Sequence, residues 1–378
     1  MMHHYNYGII TINDDLNYGN RLQNFALTKL LSEYGLTTTV RSTLGVTDVV
    51  SGMKSNLRKT KSLMIARKDG IYETVSIRMR KGRDFTRRYA DDSATSVDGY
   101  HGLRGNRLDT LVIGSDQVWN YTLISQQDLR MRFGLLSADI PAMSYAASIG
   151  INDIDNEHIP VFQEGLRHLH SISVREDRAK ELVEQISGRE ATVVLDPTLM
   201  IERKTWETLF EGFVPDDERY VVTYFLGEPS PTQKMIIEKY AKERGLNIRQ
   251  MSDAWTRNRP DISTGMAGPA DFVELIAKSE YVFTDSYHAC CLSLLFGKEF
   301  KVFNRSGMSK SKGMNSRMAT LFRLFELQDT MSDEQQFVTI DYRHVNELLG
   351  NHRRDSRQWL SQALNHTSQD VANNRSHN

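Results

Sequence analysis

A short polar turn between two apolar segments carries the residues best suited to chemistry. Residues 281–283 form a β-rich apolar run, residues 284–288 are polar, and residues 289–296 are apolar on every face. This order predicts a strand, a turn and a helix buried against a sheet. Asp285 or Ser286 can cap the helix, and the free N–H groups of its first turn then form a binding site for an anion.

His288 falls in the first turn of this predicted helix. There a ring nitrogen can carry a proton or donate a hydrogen bond to the same anion. An isolated His is more often packed under a loop and bonded to a backbone carbonyl. Because His288 stands beside a capped turn after a buried strand, we favour the functional interpretation.

Asp116 is a second candidate, in the turn GSDQVWN that follows a strand predicted at residues 108–113. Ligands of open α/β sheets bind near the carboxyl ends of the strands, where Asp116 can accept a proton or hold a sugar hydroxyl. Alternatively, Asp116 caps the short helix that follows. The sequence leaves both interpretations open.

Alternating strand and helix patterns surround these turns. Residues 5–12 predict a strand and residues 21–34 a helix, joined by a polar turn at residues 13–20 in which Gly19 permits close approach of the backbone to a ligand. Four further strands, each followed by a turn, predict a parallel sheet with helices on both faces: 108–113, 143–147, 171–174 and 192–195.

A second α/β series follows a break near residues 197–219, with strands predicted at 220–226, 247–251, 281–283 and 299–303. We therefore predict an α/β fold with an N-terminal domain at residues 1–205 and a C-terminal domain at 206–365. A helix predicted at 355–364 precedes the tail 366–378, which we expect to be disordered because it has little apolar content.

The length and composition fit a protein with two α/β domains. The chain has 378 residues, of which 39% are hydrophobic and 25% charged. No apolar run approaches the roughly 20 residues that span a bilayer, and the N-terminus lacks a signal-peptide pattern, so we expect a cytoplasmic protein. The two cysteines, Cys290 and Cys291, are adjacent in a predicted buried helix and are expected to be reduced. No Cys/His spacing predicts a metal site.

The charge is unevenly distributed although the net charge is −1. Residues 41–90 contain 13 Lys or Arg and 4 Asp or Glu, a net charge of about +9. These cations form either the solvated faces of two helices, at 54–68 and 71–90, or a surface for an anionic partner such as a phosphate-bearing lipid at the inner membrane face. No recognition-helix or RNA-binding signature accompanies them, so nucleic acid is not expected.

Seven segments together resemble the motifs of the polysaccharide pyruvyl transferases. In chain order they are NYGNRLQNFAL at 17–27, VIGSDQVWN at 112–120, SYAASIG at 144–150, SVRE at 173–176, VVLDPTLM at 193–200, GPADFVELI at 268–276 and TDSYHA at 284–289. One departure is Ala289, where a Gly usually follows the His, and its methyl group narrows the site.

The resemblance implies two Rossmann-like domains that face each other across a cleft, similar to GT-B glycosyltransferases. It also implies transfer of pyruvate from phosphoenolpyruvate to two hydroxyls of a sugar in a capsule or exopolysaccharide, or in a lipid-linked oligosaccharide precursor. The products are a ketal and free phosphate. The reaction needs no cofactor besides phosphoenolpyruvate as co-substrate, and no metal.

The same resemblance suggests roles for residues of this chain. His288 would bind the donor phosphate and carry a proton to or from it, and Asp116 would position or deprotonate the sugar. The phosphate and carboxylate of phosphoenolpyruvate require a helix N-terminus and cationic side chains, for which the candidates are Ser286, Tyr287, His288, Arg175, Lys312 and Arg317. The sugar side would be lined by Asn17, Asn20 and Gln23.

Two other functions remain open at this stage. A nucleotide-sugar-dependent glycosyltransferase can share the same two-domain fold, since fold does not determine chemistry. An inactive sugar-binding protein of capsule assembly is a second alternative. The joint presence of Asp116, Arg175 and His288 favours an enzyme. The acceptor sugar and the oligomeric state are not predicted.

Overall fold

The computed structural model describes residues 5–42, 72–90, 95–98, 102–105, 107–215, 217–252, 262–305, 314–330 and 336–375. Two four-stranded parallel sheets, one in each half of the chain, form the framework of these residues. The predicted α/β class is therefore confirmed. The helix predicted at 54–68 lies outside the described residues.

The elements of the N-terminal half alternate as predicted, apart from three additional short strands at 41–42, 95–98 and 102–105 that form a small sheet of their own. In chain order they are β1 (Asn6–Ile10), α1 (Tyr18–Leu31), β2 (Leu36–Thr39), β3 (Arg41–Ser42), α2 (Tyr72–Tyr89), β4 (Thr95–Asp98), β5 (Gly102–Gly105), β6 (Thr110–Ile113), α3 (Gln126–Met131), β7 (Ala142–Ser144), α4 (Ile159–His168), β8 (Ser173–Val174), α5 (Asp177–Ser187), β9 (Thr192–Val193), α6 (Pro197–Met200) and α7 (Arg203–Glu207).

The first sheet has the strand order β2-β1-β6-β7, and all of its pairs are parallel. The parallel pair β8-β9 continues it, through a bridge between Ala147 and Val174. Strand β2 lies on one side of β1, and β6 lies on the other. The direction in which successive strands are added to the sheet therefore reverses between β1 and β6. Such a switch point opens a crevice at the carboxyl ends of the two strands, where ligands bind in doubly wound sheets.

The C-terminal half contains β10 (Tyr220–Phe225), α8 (Pro231–Arg244), β11 (Asn247–Ser252), α9 (Ile262–Gly265), α10 (Pro269–Lys278), β12 (Tyr281–Thr284), α11 (Tyr287–Phe296), β13 (Glu299–Val302), α12 (Met314–Phe325) and α13 (Tyr342–Arg375). Its sheet has the parallel order β11-β10-β12-β13, so the same kind of switch point lies between β10 and β12.

A shared hydrophobic core joins the two sheets. Side chains alternate along a strand, so Val222 and Val282 face this core whereas Val221 and Phe283 face a separate cluster on the far side of the C-terminal sheet. Helices α1, α6 and α11 lie in the shared core and contact one another. The first turns of α1 and α11 are thereby held close together.

Helix α1 begins three residues earlier than predicted. The Asn17 side chain accepts a hydrogen bond from the backbone N–H of Asn20 (3.2 Å), and this N-cap starts the helix at Tyr18. Gly19 and Asn20 therefore lie in the first helical turn, not in the connecting turn where the sequence pattern placed them. Their position is fixed by the helix.

The C-terminal helix is longer than predicted and includes residues 366–375 of the expected tail, whereas residues 376–378 lie outside the described residues. The sequence indicates a helix at 355–364 and a disordered tail at 366–378, but α13 runs from Tyr342 to Arg375. Helical hydrogen bonds are local and need no apolar side chains, and neither Gly nor Pro occurs after Gly350 to interrupt them. The first part of α13 packs on the N-terminal half, where the Ser356 hydroxyl accepts from the Leu195 N–H (3.0 Å).

Three of the six cations of α2 pair with acids on other elements. Lys81 pairs with Asp271 (2.6 Å), Arg83 with Asp15 (2.9 Å) and Arg88 with Glu211 (3.1 Å). These pairs are consistent with helix faces that contact the rest of the protein. Among the described residues, no helix has the length and apolar character needed to cross a membrane.

Candidate active site

The first turns of α1 and α11 face each other, and the candidate residue His288 lies at this contact. A Cβ atom built on Gly19 would lie 2.7 Å from Cγ of His288, closer than real Cβ atoms approach other heavy atoms. Gly19 in α1 and His288 in α11 are thus in direct contact, and no larger residue fits at position 19 without moving the ring. Asp116, at the switch point of the N-terminal sheet, lies next to this contact and accepts a hydrogen bond from Asn20 of the same turn of α1.

The N-terminus of α11 has the features of an anion site. Ser286 is the N-cap, and its side chain accepts from the Ala289 N–H at 3.5 Å. Within the described ranges the N–H groups of Tyr287 and His288 donate no hydrogen bond. Asp285, the other candidate cap, instead accepts from the Leu226 N–H (2.7 Å) and the side chain of Arg305 (2.7 Å).

His288 is buried, with 7% of its surface exposed. Its Nε2 atom lies 3.8 Å from Oδ2 of Asp196 and has no hydrogen-bond partner in the part of the chain that the structure describes. Burial lowers the pKa of His288, as do the charges of Arg175 and Arg317, whereas Asp196 and Asp116 act in the opposite direction. The net result is a pKa below the ordinary value, so the ring is neutral at pH 7.

Asp116 is a fixed carboxylate and not a helix cap. The helical turn that follows is capped by Asn120, whose side chain accepts from the Thr122 N–H (3.2 Å). Asp116 has a φ of 76°, a conformation that Asp adopts more readily than most residues and that is common at functional sites. Its carboxylate accepts from the Gln117 N–H (2.8 Å) and from the side-chain amide of Asn20.

The charge state of Asp116 follows from its neighbours. Burial raises its pKa, but the charges of Arg175, His288 and Arg317 and the Gln117 N–H lower it more, so that the pKa lies below the ordinary value. Asp116 is therefore ionised at neutral pH. A carboxylate of low pKa accepts hydrogen bonds well but takes a proton poorly.

Arg175 joins two buried carboxylates. Its Nη1 donates to Asp196 (2.8 Å), its Nη2 lies 3.4 Å from Asp116, and its guanidinium carbon is 4.3 Å from the centre of the Tyr287 ring. All of its side chain is buried. Arg175 and Tyr287, both predicted to contact a donor, thus contact each other inside the site.

Asp196 is the site residue that the sequence analysis missed. Its carboxylate accepts from Ser115 Oγ (2.7 Å), Arg175 Nη1 (2.8 Å) and Thr198 Oγ1 (2.6 Å). Burial raises its pKa, but the charges of Arg175 and His288 and the hydrogen bonds from Thr198 and Arg175 lower it to about 2. Its position directly after the strand predicted at 192–195 was a usable signal, because the ends of other predicted strands supply Asp116 and Arg175.

Arg317 is a buried cation without a carboxylate partner among the described residues. It is 7% exposed and lies on α12, and its two terminal nitrogens face the side-chain amide of Gln117 at 2.6 and 2.7 Å, which requires the amide oxygen of Gln117 to point toward Arg317. Burial and the charge of Arg175 lower its pKa to about 10. An anionic ligand would compensate this charge.

Helix α12 is held in place by contacts with α5. Arg323 makes two hydrogen bonds with the Asp177 carboxylate, both of 2.8 Å, and Thr320 accepts from the Asp177 N–H at 3.0 Å. These contacts fix Arg317, on the preceding turns, relative to the N-terminal sheet.

The residues predicted for the sugar side occupy three different environments. Asn20 contacts Asp116, whereas Asn17 uses its side chain to cap α1. Gln23 lies behind Asn20, fully buried, and donates to Thr11 Oγ1 (2.7 Å) and to the Asn20 carbonyl (3.1 Å). Lys312 lies outside the described residues. No group of three or more His, Cys, Asp or Glu side chains that could hold a metal occurs among those described.

A family model described as polysaccharide pyruvyl transferase matches residues 17–307. No curated protein sequence matches the chain. Similar solved structures include the UDP-GlcNAc 2-epimerase from Neisseria meningitidis, bound to UDP-GlcNAc (10% identity, 95% of this chain and 100% of that chain, TM-score 0.44). Two others are the putative UDP-N-acetylglucosamine 2-epimerase from Listeria monocytogenes (11% identity, 99% and 97%, TM-score 0.44) and the spinosyn rhamnosyltransferase SpnG (10% identity, 96% and 95%, TM-score 0.36).

Proposed function

The chain belongs to the polysaccharide pyruvyl transferase family, and we propose that it transfers pyruvate from phosphoenolpyruvate to two hydroxyls of a sugar. The sugar would be part of a cell-surface polysaccharide or of its lipid-linked precursor, and the products are a ketal and free phosphate. The observation that carries this proposal is the combination of a helix N-terminus with unbonded N–H groups and a buried Arg317 without a carboxylate partner among the described residues.

The two anionic groups of phosphoenolpyruvate fit these two features. The N–H groups of Tyr287 and His288, together with the positive end of the α11 dipole, suit the phosphate. The Nε side of the Arg317 guanidinium suits the carboxylate, because the two terminal nitrogens face Gln117 whereas Nε has no partner among the described residues. Lys312, from the segment before α12, remains a proposed further contact.

The proton transfers can be assigned from the charge states. Protonation of the enol carbon of phosphoenolpyruvate leaves an oxocarbenium-like centre, to which a first sugar hydroxyl adds with loss of its proton. Departure of phosphate and addition of the second hydroxyl, which also loses its proton, then close the ketal. The proton of the first hydroxyl balances the one that the enol carbon takes up, and the proton of the second balances the one that the phosphate receives. The neutral ring of His288 can accept a proton and return it to the phosphate that leaves.

Asp116 has the simpler role of holding the acceptor. Its low pKa makes it a poor base, so of the two roles considered for it we retain positioning of the sugar hydroxyl. As a fixed anion it also stabilises the positive charge that develops at the reacting carbon. The Asn20 amide beside it offers a second group for the sugar. No cofactor takes part in this scheme.

A lipid-linked acceptor would bring the protein to the inner face of the membrane. We include a cytoplasmic location with peripheral membrane contact in the proposal because residues 41–90 carry a net charge of about +9. Within α2, Arg80 and Arg87 have exposed side chains that an anionic surface could attract.

A thermal-shift titration tests the donor. Phosphoenolpyruvate is expected to raise the melting temperature in a saturable way, because a ligand at 100 times its Kd stabilises the folded state by about 2.7 kcal/mol. Inorganic phosphate and a panel of nucleotide sugars serve as controls. A rise with a nucleotide sugar alone would support the glycosyltransferase alternative, and no rise with any of them would contradict the proposed donor.

Gly19→Ala tests the contact between α1 and α11. The added methyl group must displace the His288 ring, so we expect kcat for pyruvyl transfer to fall about tenfold or more while the fold is retained. The matched control is Gly350→Ala in α13, where no heavy atom lies within 4 Å of the new Cβ. The control should keep full activity, and equal activity of both variants would show that the ring position is unimportant.

A further inference from the structure

We propose that Asp196 and His288 form a dyad in which the Asp196 carboxylate keeps the proton of the neutral ring on Nε2, so that Nδ1 is the nitrogen that exchanges protons. Asp196 then acts as a positioning residue. The purpose of the exchange rests on the proposed function, but the geometry of the pair does not.

Asp196 has a fixed direction because hydrogen bonds hold both of its oxygens. Oδ1 accepts from the N–H (2.9 Å) and the hydroxyl (2.6 Å) of Thr198, and Oδ2 accepts from Ser115 (2.7 Å) and Arg175 (2.8 Å). These donors come from α6, from the turn after β6 and from the end of β8. The carboxylate therefore cannot turn away from His288 without losing several bonds.

The two nitrogens of His288 face different surroundings. Nε2 lies 3.8 Å from Asp196 Oδ2 and has no other partner within the described ranges, so a movement of about 1 Å would complete a hydrogen bond. Nδ1 faces Gly19, at the N-terminus of α1, where the partial charge of the helix is positive. A carboxylate stabilises an N–H that points at it, whereas a helix N-terminus disfavours a second N–H.

Four charged groups act on the ring, and they come from separate elements. Asp116 and Asp196 attract a proton to it, and Arg175 and Arg317 oppose one. From α1 it contacts the uncharged Gly19, and from α11 it makes a T-shaped contact with the buried Tyr287 ring. Of the two carboxylates, Asp196 is the one within 4 Å of a ring nitrogen. Asp196 therefore decides which nitrogen holds the proton.

The dyad can be tested without any substrate by ¹⁵N NMR of the histidine side chains. Protein labelled with ¹⁵N-histidine gives the tautomer of each neutral ring, and His288→Gln identifies the signals of His288. At neutral pH we expect the Nε2–H tautomer. The Nδ1–H tautomer in the unmodified protein would overturn the proposal, and the variant serves only to assign the signals.

Asp196→Asn then tests the cause of the tautomer. The loss of the negative charge should replace the single Nε2–H form by a mixture and should lower the pH at which the ring becomes charged. Ser115→Ala is the matched control, because it removes one donor to Asp196 but keeps the charge, and it should keep the tautomer. An unchanged tautomer in Asp196→Asn would contradict the dyad.

The pH dependence of activity distinguishes a positioning role of Asp196 from a purely structural one. In Asp196→Asn, kcat for pyruvyl transfer should fall about 10²- to 10⁴-fold, as expected when a ring is held in the wrong tautomer. The acid limb of the kcat/KM profile should move to lower pH. A fall in activity with an unchanged profile would indicate only loss of structure. Failure of phosphoenolpyruvate to bind would refute the proposed function while leaving the NMR result valid.

Discussion

Replacement of His288 by glutamine is expected to lower kcat by about 10²- to 10⁴-fold, the usual contribution of a general acid or base. Glutamine has a similar volume and retains a hydrogen-bonding side chain, but it cannot carry a proton. The free energy of unfolding should change by less than about 1.5 kcal/mol, as for other substitutions that conserve volume. The measurements are steady-state kinetics of phosphate release and urea denaturation.

The control for this prediction is His344→Gln. His344 is exposed and pairs with Glu326 (3.0 Å) on the surface, so its replacement should leave kcat unchanged. Near-normal turnover in His288→Gln would remove His288 from the chemistry. A large loss of stability in that variant would instead indicate that the ring has a structural role.

Arg175→Gln should have the largest effect on stability. Arg175 is fully buried between Asp116 and Asp196, and removal of one partner from a buried ionic group costs about 3–5 kcal/mol because the remaining charges are left without compensation. Urea denaturation at pH 7 measures this loss. Arg203→Gln is the control, since Arg203 pairs with Glu207 on the surface and such a pair contributes less than about 1 kcal/mol.

The effect of Arg175→Gln should also depend on pH. In the unmodified protein the pKa values of Asp116 and Asp196 are lowered, that of Asp196 to about 2, so their contribution to stability is present above the unfolded value and is lost as the pH falls through the folded value. Without Arg175, burial raises both pKa values. As the pH falls, protonation of the two carboxylates then removes the uncompensated negative charges of the variant. The difference in free energy of unfolding between the unmodified protein and the variant should therefore shrink between pH 7 and pH 4.5. A difference of less than 1 kcal/mol at pH 7, or one independent of pH, would contradict the central role of Arg175.

Local patterns predicted the framework and the turns that carry the site. The strand that ends before Asp116 and the turn that starts α11 at His288 follow from apolar periodicity and capping residues, which act within a few positions. The sequence left Asp285 and Ser286 as alternative caps. The structure decides for Ser286, because Asp285 is engaged by Leu226 and Arg305, which are distant in the chain.

The parts that could not be predicted depend on contacts between distant segments. Asp196 becomes a site residue because Ser115, 81 positions away, donates to it and because α11 brings His288 beside it. Spacing along the chain contains no such information. Gln23 was assigned to the sugar side by the family resemblance, but its side chain donates to Thr11 inside the protein. Helix α13 was missed beyond residue 364 because polar residues satisfy helical geometry without an apolar stripe.

The central claim is that the donor anion binds between the N-terminus of α11 and Arg317, and calorimetric titration with phosphoenolpyruvate tests it most directly. We predict a single site in the unmodified protein and a Kd at least about tenfold weaker in Arg317→Gln, because a charge-assisted hydrogen bond contributes about 1.5–3 kcal/mol. Arg354→Gln, a change of an exposed arginine in α13, should bind like the unmodified protein. Equal affinity in all three proteins, or no binding to any of them, would contradict the claim.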